Sequence, residues 1–187
     1  MESFNSTKVV TGLVRMSYPN VFKATAMEEG QDPKFSISLI IPKSDTRTIE
    51  KIKKAIELAM EQGKGLLEKN GKRLPKIKYP LKDGDEEKPD DEAYKNSYYL
   101  SARSQRRPDI VDESGQPIMQ ESEFYAGCYG RASVNFYAYN YNKVSPGVGC
   151  GLGNLQKLKD GEPLAGGSSA EEDFAEPFEG GDDDLLD

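Results

Sequence analysis

The stretch Arg131-Ala132-Ser133-Val134-Asn135-Phe136-Tyr137-Ala138-Tyr139-Asn140-Tyr141 decides the reading of the fold, because parity sorts its residues into two chemically distinct sets. Ala132, Val134, Phe136 and Ala138 are small or apolar, whereas Arg131, Ser133, Asn135, Tyr137, Tyr139 and Tyr141 are polar or amphipathic. A period of two marks a strand that covers a core with one face. The other face is not ordinary surface. A row of three tyrosines with an arginine is costly to leave bare, yet it suits stacking of unpaired bases with the cation on phosphate.

Outward from this strand, Ser97 to Ser104 repeats the arrangement. Tyr98, Leu100 and Ala102 face one way and Tyr99, Ser101 and Arg103 the other, with Arg106 and Arg107 at its end. Two such faces on one sheet make a groove. Lys34 to Ile41 sets Phe35, Ile37, Leu39 and Ile41 against Lys34, Ser36 and Ser38, which predicts a strand buried on one side only and stopped at Pro42. Lys8 to Tyr18 predicts a strand broken at Gly12 and stopped at Pro19, and Pro108 to Asp112 a short one before a Glu113-Ser114-Gly115 turn. Gly147 to Leu158 reads as the last strand, with Val148, Cys150 and Leu152 inward. Gly149, Gly151 and Gly153 fall on its other side, where missing side chains permit close approach of backbone or base.

Ser44 or Asp45 can cap a helix whose apolar positions Ile49, Ile52, Ile56, Ala59 and Met60 recur at helical spacing up to Gly63. The segments 69–78, basic with Asn70-Gly71 and Pro75, and 83–92, acidic with Gly84 and Pro89, read as loops. About seven short strands with one principal helix and no strand–helix rhythm predict a mainly β protein built as a small antiparallel barrel.

Charge divides the chain. All 25 Lys and Arg and 21 of the 32 Asp and Glu lie in residues 1–159, a net +4, whereas residues 160–187 carry eleven carboxylates and no cation. The pI of 4.9 therefore describes the tail and hides a mildly basic body. That asymmetry is expected of a nucleic-acid binder with a separate contact arm. The arm ends Asp182-Asp183-Asp184-Leu185-Leu186-Asp187, an acidic run with an apolar hook.

Enzymatic readings find little support. With no His, imidazole bases, His-based triads and HExxH zinc sites are excluded. The glycine run 147–153 does not fit a dinucleotide fingerprint, and no phosphate-loop motif occurs. Cys128 and Cys150, without CxxC partners, read as buried thiols and imply neither zinc nor a disulfide. One catalytic alternative is Mg²⁺ held by Asp83, Asp85, Glu86, Glu87, Asp90 and Asp91 for a nuclease; another class is a scaffold whose tyrosine face takes protein or RNA. The acidic N-terminus and the absence of a long apolar run predict a cytoplasmic protein away from membranes, needing no cofactor or metal.

Four blocks carry a family resemblance: Leu13 to Phe22 (LVRMSYPNVF), Phe35 to Lys43 (FSISLIIPK), Tyr129-Gly130-Arg131, and above all Gly151 to Leu164 (GLGNLQKLKDGEPL). The chain resembles, over nearly its whole length, the bacteriophage single-stranded-DNA-binding proteins long catalogued as a domain of unknown function. The resemblance implies an OB-fold, a five-stranded Greek-key barrel that binds single strands across a sheet face, with an acidic tail recruiting replication and recombination enzymes. The chain is accordingly divided into an OB-fold domain, residues 1–164, and a disordered acidic partner-binding tail, residues 165–187. The tail departs from the aromatic-ended pattern of related proteins. Tyr99, Tyr137, Tyr139 and Tyr141 are the candidate stacking residues and Arg103, Arg106, Arg107 and Arg131 the candidate phosphate contacts. Asp182, Asp183, Asp184, Leu185, Leu186 and Asp187 are the candidate partner contacts.

Overall fold

Strands β1 (Lys8–Val10), β2 (Val14–Thr25) and β3 (Lys34–Pro42) lead into helix α1 (Thr46–Gln62). Short elements follow: α2 (Lys64–Leu67), β4 (Glu68–Lys69), β5 (Lys72–Arg73), β6 (Leu81–Asp83) and α3 (Gly84–Glu87). The chain then returns through β7 (Ser97–Ser104), β8 (Ile110–Val111), β9 (Tyr129–Tyr141) and β10 (Ser145–Lys159). This computed structural model describes residues 6–26, 29–164 and 174–176.

Five strands close on themselves in the order β2-β3-β7-β10-β9-β2, the last link made by Val14 opposite Gly130 and Arg15 opposite Tyr129. Numbered along the chain, that is the 1-2-3-5-4-1 connectivity of an OB barrel, with its first two strands joined as a hairpin and its third and fifth running parallel. The expected antiparallel barrel is thus a mixed one: β10 runs parallel to β7 at Gly151 and Arg103 and parallel to β8 at Leu155 and Ile110. Closure leaves the short strands β1, β6 and β8 at the edges of the sheet, limiting the open edge that would template aggregation.

The interior holds most of what alternation assigns to it: Ile37, Leu39 and Ile41, Leu100 and Ala102, Ala132, Val134 and Phe136, and Val148, Cys150 and Leu152, whereas Phe35 at the start of β3 is half-buried and joins neither apolar cluster. α1 seals one end by packing Ile49, Ile52, Ile56 and Met60 against β1, β9 and β10. Asp45 is its cap: the carboxylate accepts the Thr48 N–H at 3.1 Å, a bond of the kind that contributes about 1 kcal/mol.

Three further expectations need correction. β2 does not stop at Pro19 but runs on to Thr25, because a register shift between Ser17 and Asn20 places the proline, which has no N–H to donate, outside the regular ladder. Tyr18 takes φ 45 at that bulge. β3 is buried on both faces over its second half. Ile40 on its outer side joins Tyr94 and Tyr99 in a second apolar cluster, and the Tyr94 hydroxyl donates to Ser17 Oγ (2.9 Å) and lies 3.3 Å from Ser38 Oγ. The segments read as loops contain the β4–β5 hairpin, α3 and a 3₁₀ turn at Glu92–Tyr94 that covers this cluster. No helix of the described residues is long and apolar enough to cross a membrane.

Candidate nucleic-acid interface

Alternation along β9 is realised: Ala132, Val134 and Phe136 are buried, while Tyr137 and Tyr141 are 44% and 59% exposed on the opposite face. Tyr139 lies between them, its ring centroid 6.4 Å from Tyr137 and 4.8 Å from Tyr141, so the three rings form a continuous ladder. The glycines of β10 make room for it. Gly149 is paired with Tyr137 and Gly147 with Tyr139, and a Cβ at 149 would lie 2.5 Å from Tyr137 Cζ. The glycine face read as open to a base is therefore closed by the neighbouring strand at two of its three positions, by the Tyr137 ring at Gly149 and by the Ser133 hydroxyl at Gly153.

A groove of about 780 Å³ runs past these rings. Tyr137, Tyr139, Tyr141 and Gly149 line it from the β9–β10 side, and Ser101 and Arg103 of β7 from the other. β6 takes the edge of β7 with Lys82 opposite Tyr99, and the preceding segment brings Lys78 and Tyr79 into the same wall. Lys34 of β3 completes a set of four cations, and none of the lining residues is acidic. A second hollow of about 500 Å³ continues from Lys34, Arg103, Gln105 and Tyr141 into the β2–β3 connection at Gly30, Gln31 and Asp32. Burial, then the neighbouring Tyr141 phenol, pushes the Tyr137 and Tyr139 hydroxyls above their ordinary range, with Arg103 pulling the other way. Neutral phenols at physiological pH do not repel phosphate.

Of the candidate stacking residues, Tyr137, Tyr139 and Tyr141 are brought together with Arg103. Tyr99 is not. Only 8% exposed, it packs edge-on against Tyr94 with centroids 5.1 Å apart, because the 3₁₀ turn covers that end of the β7 outer face. Arg131 keeps the outward parity but lies outside the groove lining; its Nη2 and Nε donate to Gln156 Oε1 at 2.8 and 3.1 Å across the β9–β10 pair. Arg106 and Arg107 are exposed beyond the end of β7, Arg107 5.7 Å from the Phe22 ring, and neither lines the groove. Asp182 to Asp187, with Leu185 and Leu186, lie outside the described residues.

Lys34, Lys78, Tyr79, Lys82 and Gln105 were not picked out from sequence. Lys34 had a signal, since it shares the outward parity of β3 with Ser36, which pairs with Arg103. Lys78 and Tyr79 had none beyond the basic character of their segment. Three of the six carboxylates proposed to hold Mg²⁺ are engaged differently: Asp83 and Asp85 both bind Lys43 Nζ, at 2.9 and 2.8 Å, and Asp91 caps the 3₁₀ turn through the Ala93 N–H. Among the described residues no group of three or more His, Cys, Asp or Glu side chains is placed to hold a metal.

Comparison with known proteins adds four findings. The family model described as the ssDNA-binding protein of Enterobacter phage Enc34 matches residues 7–186. Putative protein p50 of Acyrthosiphon pisum secondary endosymbiont phage 1 is 31% identical over 190 residues, covering 96% of this chain and 98% of that protein. Among solved structures, the bacteriophage Enc34 single-stranded DNA-binding protein in complex with ssDNA superposes with a TM-score of 0.74 at 28% identity, over 88% of this chain and 96% of that one. The bacteriophage T7 single-stranded DNA-binding protein gp2.5, 14% identical with a TM-score of 0.60 over 87% of this chain and 97% of that one, shares the fold.

Proposed function

The chain belongs to the family of the Enterobacter phage Enc34 ssDNA-binding protein, and from that membership and its groove we propose that it binds single-stranded DNA, without catalysis and with little sequence preference. The observation that carries the proposal is the tyrosine ladder 137–139–141 facing Arg103, Lys34, Lys78 and Lys82 in one groove free of lining carboxylates. Stacking accepts every base because each has a π face, and the cations meet the backbone common to all sequences. Tyr137, Tyr139 and Tyr141 stack, Arg103 contacts phosphate, and Arg106 and Arg107 reach the strand beyond the groove end. Tyr99 and Arg131 take structural roles.

The setting is phage DNA replication, recombination or repair in the host cytoplasm. Residues 1–164 form the binding domain, and residues 165–187 recruit replication or recombination proteins through Asp182 to Asp187, with Leu185 and Leu186 as the apolar anchor. The same tail, at −9 beside a +2 body, competes for the groove at an effective concentration that reaches roughly millimolar for a short tether.

Fluorescence titration of a labelled oligothymidine at two salt concentrations tests the central reading. The expected result is binding whose log affinity falls by about 0.7 per log unit of salt for each phosphate neutralised. Absent or salt-independent binding overturns it. Titration of RNA and duplex in parallel, with Mg²⁺ present, separates it from an RNA-binding scaffold and from a nuclease.

A further inference from the structure

Residues 64–76 concentrate charge outside the groove: Lys64, Lys69, Lys72, Arg73 and Lys76 stand against one carboxylate, Glu68. Their core is the β4–β5 hairpin, turned by Asn70 and Gly71 at φ 57 and 76, the left-handed pair that a two-residue hairpin turn requires. The register sets Lys69 directly opposite Lys72, and both are exposed. Like charges so placed reduce the stability of a hairpin. Among the described residues neither lysine has a carboxylate within ion-pair distance, and Arg73 meets Glu57 at 3.6 Å across the base of the hairpin. A cationic tip that works against its own fold points to an external polyanion.

The hairpin is held firmly and leads to the groove. Leu67 is buried, the Leu74 N–H donates to the Leu67 carbonyl at 2.8 Å, and Ile77 packs against the core. Past Lys76, at φ 62, the chain is latched to β10: the Lys78 N–H donates to the Pro146 carbonyl at 3.1 Å, and the Lys78 carbonyl accepts the Val148 N–H at 2.9 Å. From there it enters the groove wall as Lys78 and Tyr79. The cations therefore follow one ribbon from the groove along the edge of β10 to the hairpin tip. Between Lys64 and Lys78 there is no aromatic residue, so the ribbon offers charge without stacking.

We propose that the 68–73 hairpin is a second, purely electrostatic contact for the phosphodiester backbone of the DNA strand as it leaves the groove over the edge of β10. The proposal rests on the groove being the single-strand site. It implies an occupied length beyond what the tyrosine ladder spans, with bases read nowhere along the extension.

The test compares the full chain with its Lys69→Gln/Lys72→Gln/Arg73→Gln variant, using oligothymidines of about 5 and about 25 nucleotides across a salt series, with Tyr137→Ala as the groove control. The expected result is an unchanged affinity for the short oligonucleotide. For the long one the log–log salt slope drops by about 2, and affinity at low salt falls about tenfold or more. Tyr137→Ala weakens both lengths. An unchanged slope with the long oligonucleotide overturns the inference, and so does an equal loss at both lengths, which would make the hairpin part of the groove or of the fold. Failure of the unaltered chain to bind the long oligonucleotide is a different pattern and overturns the groove reading, and this extension with it.

Discussion

Gly149 of β10 stands directly opposite Tyr137 of β9, and the tyrosine ring occupies the space in which a side chain at 149 would begin. The atoms in the way are the far end of a side chain, which can swing aside, so Gly149→Ala should displace the ring without breaking the strand. Alanine is better than glycine within a strand by about 0.5–1 kcal/mol. The expected outcome is an unchanged or slightly raised melting temperature with oligothymidine affinity reduced about tenfold, within the range for losing part of one stacking contact. Undiminished affinity would show that the ring position over Gly149 is irrelevant to binding.

The four candidate tyrosines should separate into two classes. Tyr137→Ala, Tyr139→Ala and Tyr141→Ala each lose about 1–3 kcal/mol of binding per base no longer stacked, with little change in stability. Tyr99→Ala leaves the groove intact but opens a cavity beside Tyr94 and Ile40, at a cost of about 3–5 kcal/mol in unfolding free energy. Urea denaturation and DNA titration of the same four proteins check both halves. A stable Tyr99→Ala protein with weak DNA binding would contradict the assignment.

Arg103 and Arg131 provide a matched pair on the outward parity of their strands. Arg103→Gln should lower the log–log salt slope by about 0.7, the loss of one phosphate contact. Arg131→Gln, outside the groove and engaged with Gln156, should leave the slope unchanged. Equal effects from both would mean that DNA follows the length of β9 instead of crossing at Arg103.

Removal of Ala165 to Asp187 should tighten oligonucleotide binding, most at low salt, and abolish capture of replication proteins from an infected-cell extract. Leu185→Ala/Leu186→Ala should impair capture while leaving DNA affinity near that of the full chain. Weaker or equal DNA binding by the truncated protein would rule out competition between tail and strand.

Lys43 ties Asp83 and Asp85 to the end of β3, and its ammonium, with the Asn96 N–H after it, holds the Asp85 carboxyl below its ordinary value of 3.8. A depressed folded-state pKa stabilises the fold above the unfolded value, and that contribution disappears as pH falls through the folded one. Asp85→Asn should therefore lower the melting temperature at pH 7. The gap to the unaltered protein should shrink below about pH 4 and close at lower pH. A gap that is the same at pH 7 and pH 2 would assign the stabilisation to shape instead of charge.

The sequence alone determined which face of β3, β7 and β9 meets the barrel core, though not that the outer face of β3 is covered as well, where α1 begins and ends, and that tyrosines and cations share an outward face. Period-two alternation and capping are local properties, and here tertiary packing agrees with them. The cationic body was equally legible once the tail was counted apart, because charge is additive along a chain.

The tertiary structure decided which outward residues become a site. Tyr99 and Tyr137 have the same parity signature. One is buried because a 3₁₀ turn from residues 92–94 folds over it, and the other remains exposed because its neighbour on β10 is glycine. Arg131 and Arg103 are likewise alike until register sets Gln156 beside one and an open groove beside the other. Lys34 comes from one segment and Lys78 and Lys82 from another, and they converge on Arg103 only when the barrel closes. Alternation reports which way a side chain points, whereas what stands over or beside it is fixed by contacts between residues far apart in the chain.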